Sequence, residues 1–260
     1  MMSPLLQTWL QALPWLLGAA GVTWLASVFM RNVTIVDTLW SLLFVLAACS
    51  YAWTAPQLGP RALLALVLVS AWGVRLAVHL GLRNFGHEED RRYAAIRRRN
   101  DPGFAWKSLY LVFGFQALLA WLISLPLLGA IAGDATPLGW LDFAGALLWL
   151  VGFFFESVGD WQLARFKADP ANAGKVMDQG LWSLTRHPNY FGDFCVWWGL
   201  FLVALAAGAW WSLVGPALMS LLLLRVSGVT LLERDIGERR PAYVEYARRT
   251  NSFFPGRQRH

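Results

Sequence analysis

Charge is scarce in this chain. Only 15% of its 260 residues are charged and 57% are hydrophobic, where soluble domains carry about a quarter of charged residues. A soluble protein of this length could not hide so much apolar surface in one core. Cysteine is scarcer still. Cys49 and Cys195 both lie inside apolar stretches, a placement that excludes a disulfide framework and reads as two buried free thiols. The four histidines are scattered, so no metal site is expected. No Gly-x-Gly-x-x-Gly run is present, which excludes a Rossmann domain. Low-complexity tracts and internal repeats are missing as well, and with them the usual signs of a disordered tail or a transporter.

What the chain has instead is long apolar blocks: residues 12–30, 36–54, 61–82, 108–132, 138–159, 190–208 and 210–229. A helix needs about 20 apolar residues to cross the hydrocarbon layer, so an all-α, polytopic membrane protein with seven transmembrane helices is expected, as one domain over residues 1–260. Gly208 and Ala209 leave almost no loop before the last block, which predicts a tight hairpin. The 16 tryptophans include Trp15, Trp40, Trp53, Trp140, Trp210 and Trp211 near block ends, as interfacial aromatic belts require. No basic residue precedes the first block, so it reads as a retained helix rather than a secretory signal.

The net charge of +6 is unevenly spread. With seven spans, one side receives Arg31, the arginines from Arg83 to Arg99, Lys107, Arg165, Lys167, Lys175, Arg186 and the tail from Arg234 to Arg259. The other receives only Arg61. Basic residues favour the cytosolic face, so the N-terminus is expected outside and the C-terminus in the cytosol, in a bacterial inner membrane. This distribution also argues against a nucleic-acid partner. No obligate protein partner is suggested.

Several polar groups sit where apolar residues are the rule. Arg75, His79 and Arg83, with Asn84 beside them, share one helical face; a charge as deep as Arg75 usually faces a bundle interior. Snorkelling is the competing account, and the run Arg97, Arg98, Arg99 reads as a lipid-headgroup contact. Glu156 and Asp160 share a face four residues apart, where carboxylates repel unless something cationic or hydrogen-bonding lies between them. Carboxylates suit ribose hydroxyls, and Lys167 and Lys175 suit phosphates; an ordinary ion-pair network fits equally. Residues 180–199 carry Arg186, His187, Pro188, Asn189, Tyr190 and Asp193 at the start of an apolar helix, either a capped helix start or an anion-favouring terminus. Asp37, among Val, Leu and Trp in sequence, is expected to be a neutral acid able to donate to a ketone, or else a helix cap.

These residues resemble the steroid 5α-reductase family, in particular its bacterial branch. The matching pieces are Trp72–Arg75–His79 with Glu89–Asp90–Arg92–Tyr93, then Gly180–Leu181–Trp182 through Arg186–His187–Pro188–Asn189–Tyr190–Phe191–Gly192–Asp193. The tail adds Glu233, Pro241, Tyr243, Tyr246, Arg249, Thr250, Phe253 and Pro255. The resemblance implies a seven-helix membrane reductase that uses NADPH to saturate the C4–C5 double bond of a 3-oxo-4-ene steroid. It implies a cytosol-facing cofactor site of Glu156, Asp160, Lys167, Lys175, Arg186, His187, Asn189, Tyr190 and Asp193, completed by Arg75, His79, Arg83 and Asn84. The eukaryotic enzymes hold the ketone with a Glu and a Tyr. Asp37 matches the Glu as the catalytic acid, while no Tyr near Trp72 matches the other. A lipophilic, steroid-like substrate reaching the site from membrane lipid is expected.

The Arg-His-Pro-x-Tyr-x-Gly piece is also similar to isoprenylcysteine carboxyl methyltransferases, so an S-adenosylmethionine-dependent membrane methyltransferase is the alternative. That cofactor carries no phosphate. Arg75, Arg83, Lys167 and Lys175 favour NADPH, with its pyrophosphate and 2′-phosphate.

Overall fold

The computed structural model describes residues 2–133, 136–226 and 241–259. All regular structure among them is helical. In chain order the helices are α1 (Pro4–Met30), α2 (Ile35–Thr54), α3 (Pro60–Asn84), α4 (Arg91–Asn100), α5 (Phe104–Ile123), α6 (Leu125–Ile131), α7 (Trp140–Ala168), α8 (Pro188–Ala206), α9 (Trp210–Arg225) and α10 (Ala242–Arg249). Six of them, α1, α2, α3, α5, α7 and α8, are long and apolar enough to cross a membrane. That is the architecture of a polytopic membrane protein.

Boundaries follow local chemistry. α1 begins at Pro4, earlier than its apolar block, because the Ser3 hydroxyl accepts from the Leu6 N–H at 3.3 Å and Pro4 occupies the first helical position. The fourth block is two helices, not one: the chain turns at Ser124, and α6 starts at Leu125 with Pro126 in its first turn. Gly208 takes φ +76°, a left-handed conformation that costs glycine nothing, and turns α8 into α9 as the hairpin reading requires. Helical structure is described through Val226, and the rest of the seventh block (227–229) lies outside the described residues, as do Glu233 and Arg234. Cys195 is buried as expected, but Cys49 is exposed, because it projects from the outward face of α2. Trp15, Trp53, Trp140 and Trp210 all present most of their surface outward.

Two compact units emerge, one from residues 1–142 with 203–214 and one from 143–202 with 215–260. In the first, α2 packs on α1 and α3. A Cβ on Gly73 would fall 2.6 Å from Val45 and 3.0 Å from the Ser41 carbonyl, so glycine is what lets α2 and α3 meet. Trp9 and Trp121 stack at 3.8 Å, and each indole N–H donates to the other residue's carbonyl, at 3.3 and 2.8 Å. Indoles want one partner when buried, and this pair supplies both.

In the second unit α7 and α8 run against each other along glycines. A Cβ on Gly152 would meet the Gly192 carbonyl at 2.5 Å, one on Gly192 the Glu156 nitrogen at 2.5 Å, and one on Gly199 the Gly145 carbonyl at 2.6 Å. Gly145 and Gly152 are seven residues apart, as are Gly192 and Gly199, so both helices present glycine at the same heptad phase. Small residues are the usual means of bringing backbones together where no hydrophobic effect acts between helices. The seam fixes how the polar residues of α7 and α8 meet.

Candidate functional site

In the first unit, the segment after α3 folds over the turn between α1 and α2. The Val33 N–H donates to Glu89 Oε1 at 3.0 Å, and the Asp90 N–H donates to Thr34 Oγ1 at 2.8 Å. Arg97 clamps Glu89 with two bonds, of 2.7 and 2.8 Å. Asp90 then caps α4 by accepting from the Arg92 N–H at 2.9 Å. These five bonds deliver Arg92 and Tyr93 to Asp37.

Asp37 stands in the first turn of α2, where its charge suits the helix N-terminus; Thr34 is the N-cap. Its oxygens are shared out. Tyr93 OH donates to Oδ1 at 2.5 Å and Arg92 Nη2 donates to Oδ2 at 2.9 Å, with Arg83 Nη2 at 4.0 Å from Oδ2. Gln116 Nε2 donates to the Tyr93 oxygen at 3.1 Å. The apolar surroundings expected from the flanking Val, Leu and Trp are therefore not what Asp37 meets. Its sequence neighbours point elsewhere along α2, and a strap more than 50 residues away supplies its partners.

Burial and the adjacent Asp37 carboxylate push the Tyr93 phenol well above its ordinary range, against the opposing pull of Arg92 and Gln116. Burial would weaken the Arg92 cation, but Asp37 and Asp90 overcome it and hold the guanidinium firmly charged. Burial likewise raises Asp90 and Glu89, and is outweighed at Asp90 by Arg92 and at Glu89 by Arg97 and the Val33 N–H, leaving both carboxyls below the usual range.

Of the expected basic stripe, Arg83 and Asn84 reach this cluster: Arg83 Nε donates to Asn84 Oδ1 at 3.1 Å. The Asn84 amide nitrogen is buried without a hydrogen-bond partner among the described residues, a rare state for such a donor. Arg75 and His79 lie half-buried nearer the middle of α3.

The second unit gathers the other expected residues. Glu156, Asp160 and Asp193 are buried carboxyls, at 3%, 7% and 9% exposure, on the facing glycine-lined helices α7 and α8. Asn189 Nδ2 donates to Asp160 Oδ1 at 3.2 Å, and its Oδ1 accepts from the Tyr190 N–H at 3.1 Å. His187 is buried and stacks on Tyr190 at 5.5 Å. Ser157, one helical turn before Asp160, has a buried hydroxyl with no hydrogen-bond partner among the described residues, as does the Trp149 indole N–H. Lys167 and Lys175 are exposed. Buried carboxyls for ribose hydroxyls, an orphan hydroxyl and outlying lysines for phosphates form a donor and acceptor set that fits a phosphorylated nucleoside.

Arg186 works on the tail. Its N–H donates to the Asn251 carbonyl at 2.9 Å, and Nη1 donates to the Ala247 and Thr250 carbonyls at 2.7 and 3.1 Å. Thr185 Oγ1 donates to the Phe253 carbonyl at 2.8 Å, and Tyr246 OH donates to the Trp182 carbonyl at 2.5 Å. Arg249 pairs with Asp178. Of the tail residues noted in the sequence, Tyr246, Thr250 and Phe253 are thus joined to the 180–193 motif, and Arg186 caps the end of α10.

Sequence reasoning passed over Gln116 and Ser157, and quoted Tyr93 without giving it a role. Gln116 left a signal, since a lone amide inside an apolar block is expensive unless partnered.

An integral membrane protein of packed helices with polar clusters at helix ends is the class this structure defines. The chain belongs to the family described as "Protein of unknown function (DUF1295)", whose match spans residues 23–250. It is 26% identical to an uncharacterised protein of Schizosaccharomyces pombe over 273 aligned positions, covering 90% of this chain and 76% of the relative. No solved structure matches it.

Proposed function

We propose that the protein is an NADPH-dependent reductase of the steroid 5α-reductase type, acting on the carbon–carbon double bond of a lipophilic enone. The observation that carries this reading is the hydrogen bond from the buried Tyr93 to the half-buried Asp37, flanked by Arg92 and Arg83. Carboxyl and phenol are the pair that holds the substrate ketone in the related reductases, and α4 brings the phenol that proximity to Trp72 did not predict.

The residues divide the work. Glu156, Asp160, Asn189, Tyr190 and Asp193 would take the cofactor's hydroxyls and amide, with Lys167 and Lys175 neutralising phosphate. NADPH, when bound, supplies the hydride that forms the new C–H bond at the enone β-carbon. The double-bond electrons would then move toward the carbonyl oxygen, and as they return a proton from solvent would complete the α-carbon, giving the saturated ketone and NADP+. Asp37 already accepts from Arg92, so the hydrogen available to the carbonyl is the Tyr93 phenol's, and Asp37 orients it. A buried donor aimed at developing charge is the strongest catalytic device such a site has.

The topology belongs to the same proposal: seven spans, N-terminus outside, polar ends of α3 and α8 in the cytosol. It is supported by the basic residues of the connectors and by Arg61, the one basic residue expected outside, which is neutralised by Asp142.

The test is turnover by detergent-purified protein given NADPH with progesterone or testosterone, and S-adenosylmethionine in a parallel tube. Oxidation of NADPH with a product two hydrogens heavier is expected, and Tyr93→Phe should lower kcat by about 10²-fold or more. Neither binding nor oxidation of NADPH would overturn the reading, and methyl transfer in the parallel tube would replace it.

A further inference from the structure

Gln116 has a place in this network that the reductase reading does not by itself require. It lies on α5 just after a π-helical turn, Leu109–Gly114. Such turns are uncommon, add a residue to the helical register, and recur at functional sites because they re-aim the side chains that follow. Here the following polar side chain is Gln116, and its amide reaches the Tyr93 oxygen at 3.1 Å.

Counting hydrogens fixes who gives to whom. A phenol has one hydrogen, and Tyr93 spends it on Asp37 at 2.5 Å. Arg92 can only donate, and does so to the other Asp37 oxygen. The Tyr93 oxygen can then only accept from Gln116, so the amide must present its nitrogen. Amide orientation is ordinarily a choice between two similar groups; in this chain of bonds only one choice leaves no clash.

We propose that Gln116 is a positioning residue for the reaction, holding the Tyr93 phenol against rotation and, by donating to its oxygen, making its hydrogen easier to offer to the substrate carbonyl. The proposal rests on the reductase reading. A donor at the phenol oxygen stabilises the charge that grows there as the hydrogen is shared, and so offsets part of the burial that makes Tyr93 a reluctant donor. Gln116 touches no reacting atom itself; it acts through Tyr93.

The test compares Gln116→Leu and Gln116→Glu with wild type, in enone turnover and by ¹⁹F resonance of 3-fluorotyrosine at position 93, assigned with Tyr93→Phe. Gln116→Leu should lower kcat roughly tenfold, the worth of one hydrogen bond, and leave the KM for NADPH unchanged. Gln116→Glu should work best at acid pH, where a protonated carboxyl can still donate, and fail as pH rises and a carboxylate faces the phenol oxygen. A role in packing alone gives no such pH profile. Both substitutions should move the fluorine resonance. Wild-type kcat and an unmoved resonance in Gln116→Leu, with Tyr93→Phe inactive, would overturn the proposal and leave the reductase standing. A wild-type protein that neither binds nor oxidises NADPH would sink the reductase and, with it, this role, whatever the resonance shows of the bond.

Discussion

The ion pair between Arg61 and Asp142 is the most severe test of the packing. Arg61 opens α3 and Asp142 opens α7, and both belong to the first unit. Arg61 Nε donates to Oδ1 at 2.8 Å and Nη2 to Oδ2 at 2.9 Å, and the remaining guanidinium nitrogen donates to Thr136 Oγ1 at 2.8 Å. Asp142 also accepts from the Gly139 N–H at 2.8 Å. The pair is almost dry, with Arg61 4% exposed and Asp142 0% exposed. Replacing Asp142 by Asn keeps the shape and removes the charge, stranding a guanidinium that water cannot reach. Breaking one side of a buried pair costs about 3–5 kcal/mol. At about 2–4 °C per kcal/mol for a chain of this size, the apparent Tm should fall by roughly 6–20 °C. Intrinsic tryptophan fluorescence on heating in detergent measures it. The double variant Arg61→Met with Asp142→Leu should regain most of the loss, because no charge is stranded, but not all, because the Gly139 N–H loses its acceptor. An Asp142→Asn protein melting within about 2 °C of wild type would refute the reasoning, since only a solvated pair loses so little.

The glycine seam predicts a contrast. A Gly192→Ala methyl would lie 2.5 Å from two backbone atoms, the Glu156 nitrogen and the Gly152 carbonyl, so the helices must part, at about 1–3 kcal/mol and a lower Tm; Gly18→Ala, which meets nothing within 4 Å, should leave it unchanged or raise it. Equal melting of the two would remove the seam from the account. Glu89 and Asp90 predict an acid limb. Their folded-state carboxyls lie below the usual range, so the stability they contribute is complete above the unfolded value, about 4, and is lost as pH falls through the folded one. Asp90→Asn should melt lower than wild type at neutral pH and converge with it in acid. Curves that stay parallel across the whole pH range would mean that Asp90 carries none of the dependence.

The helical class and its apolar spans were open to reading because lipid imposes them: a block of about 20 apolar residues has few other uses. The motif at residues 180–193 was readable as a polar helix start, but its attachment to the tail was not. The family resemblance places Arg186 in the cofactor site, but its bonds to the Ala247 and Thr250 carbonyls depend on where α10 ends. Asp37 shows the same limit from the other side. Its neighbours along the chain suggest a dry wall, yet a helix turns them away and a strap brings two donors. What sequence cannot express is which residue more than 50 positions away will share a carboxylate, because that follows from the Val33–Glu89 and Thr34–Asp90 bonds that seat the strap.

Those bonds bear on why a site would join a carboxylate, a phenol and two guanidinium groups. Asp37 offers two oxygens, one held by Arg92 and one by Tyr93, while Arg83 waits 4.0 Å from Oδ2. In the reductase reading, the enone oxygen becomes a better acceptor as negative charge builds on it, and the phenolic hydrogen leaves Asp37 for the carbonyl. An unpartnered buried carboxylate oxygen would make that exchange costly. Here Arg92 keeps its hold on Oδ2, and Arg83, 4.0 Å from that same oxygen, puts a second cation beside the carboxylate. The phenol can therefore change partners with no charge left bare, which a lone acid in an apolar wall could not arrange.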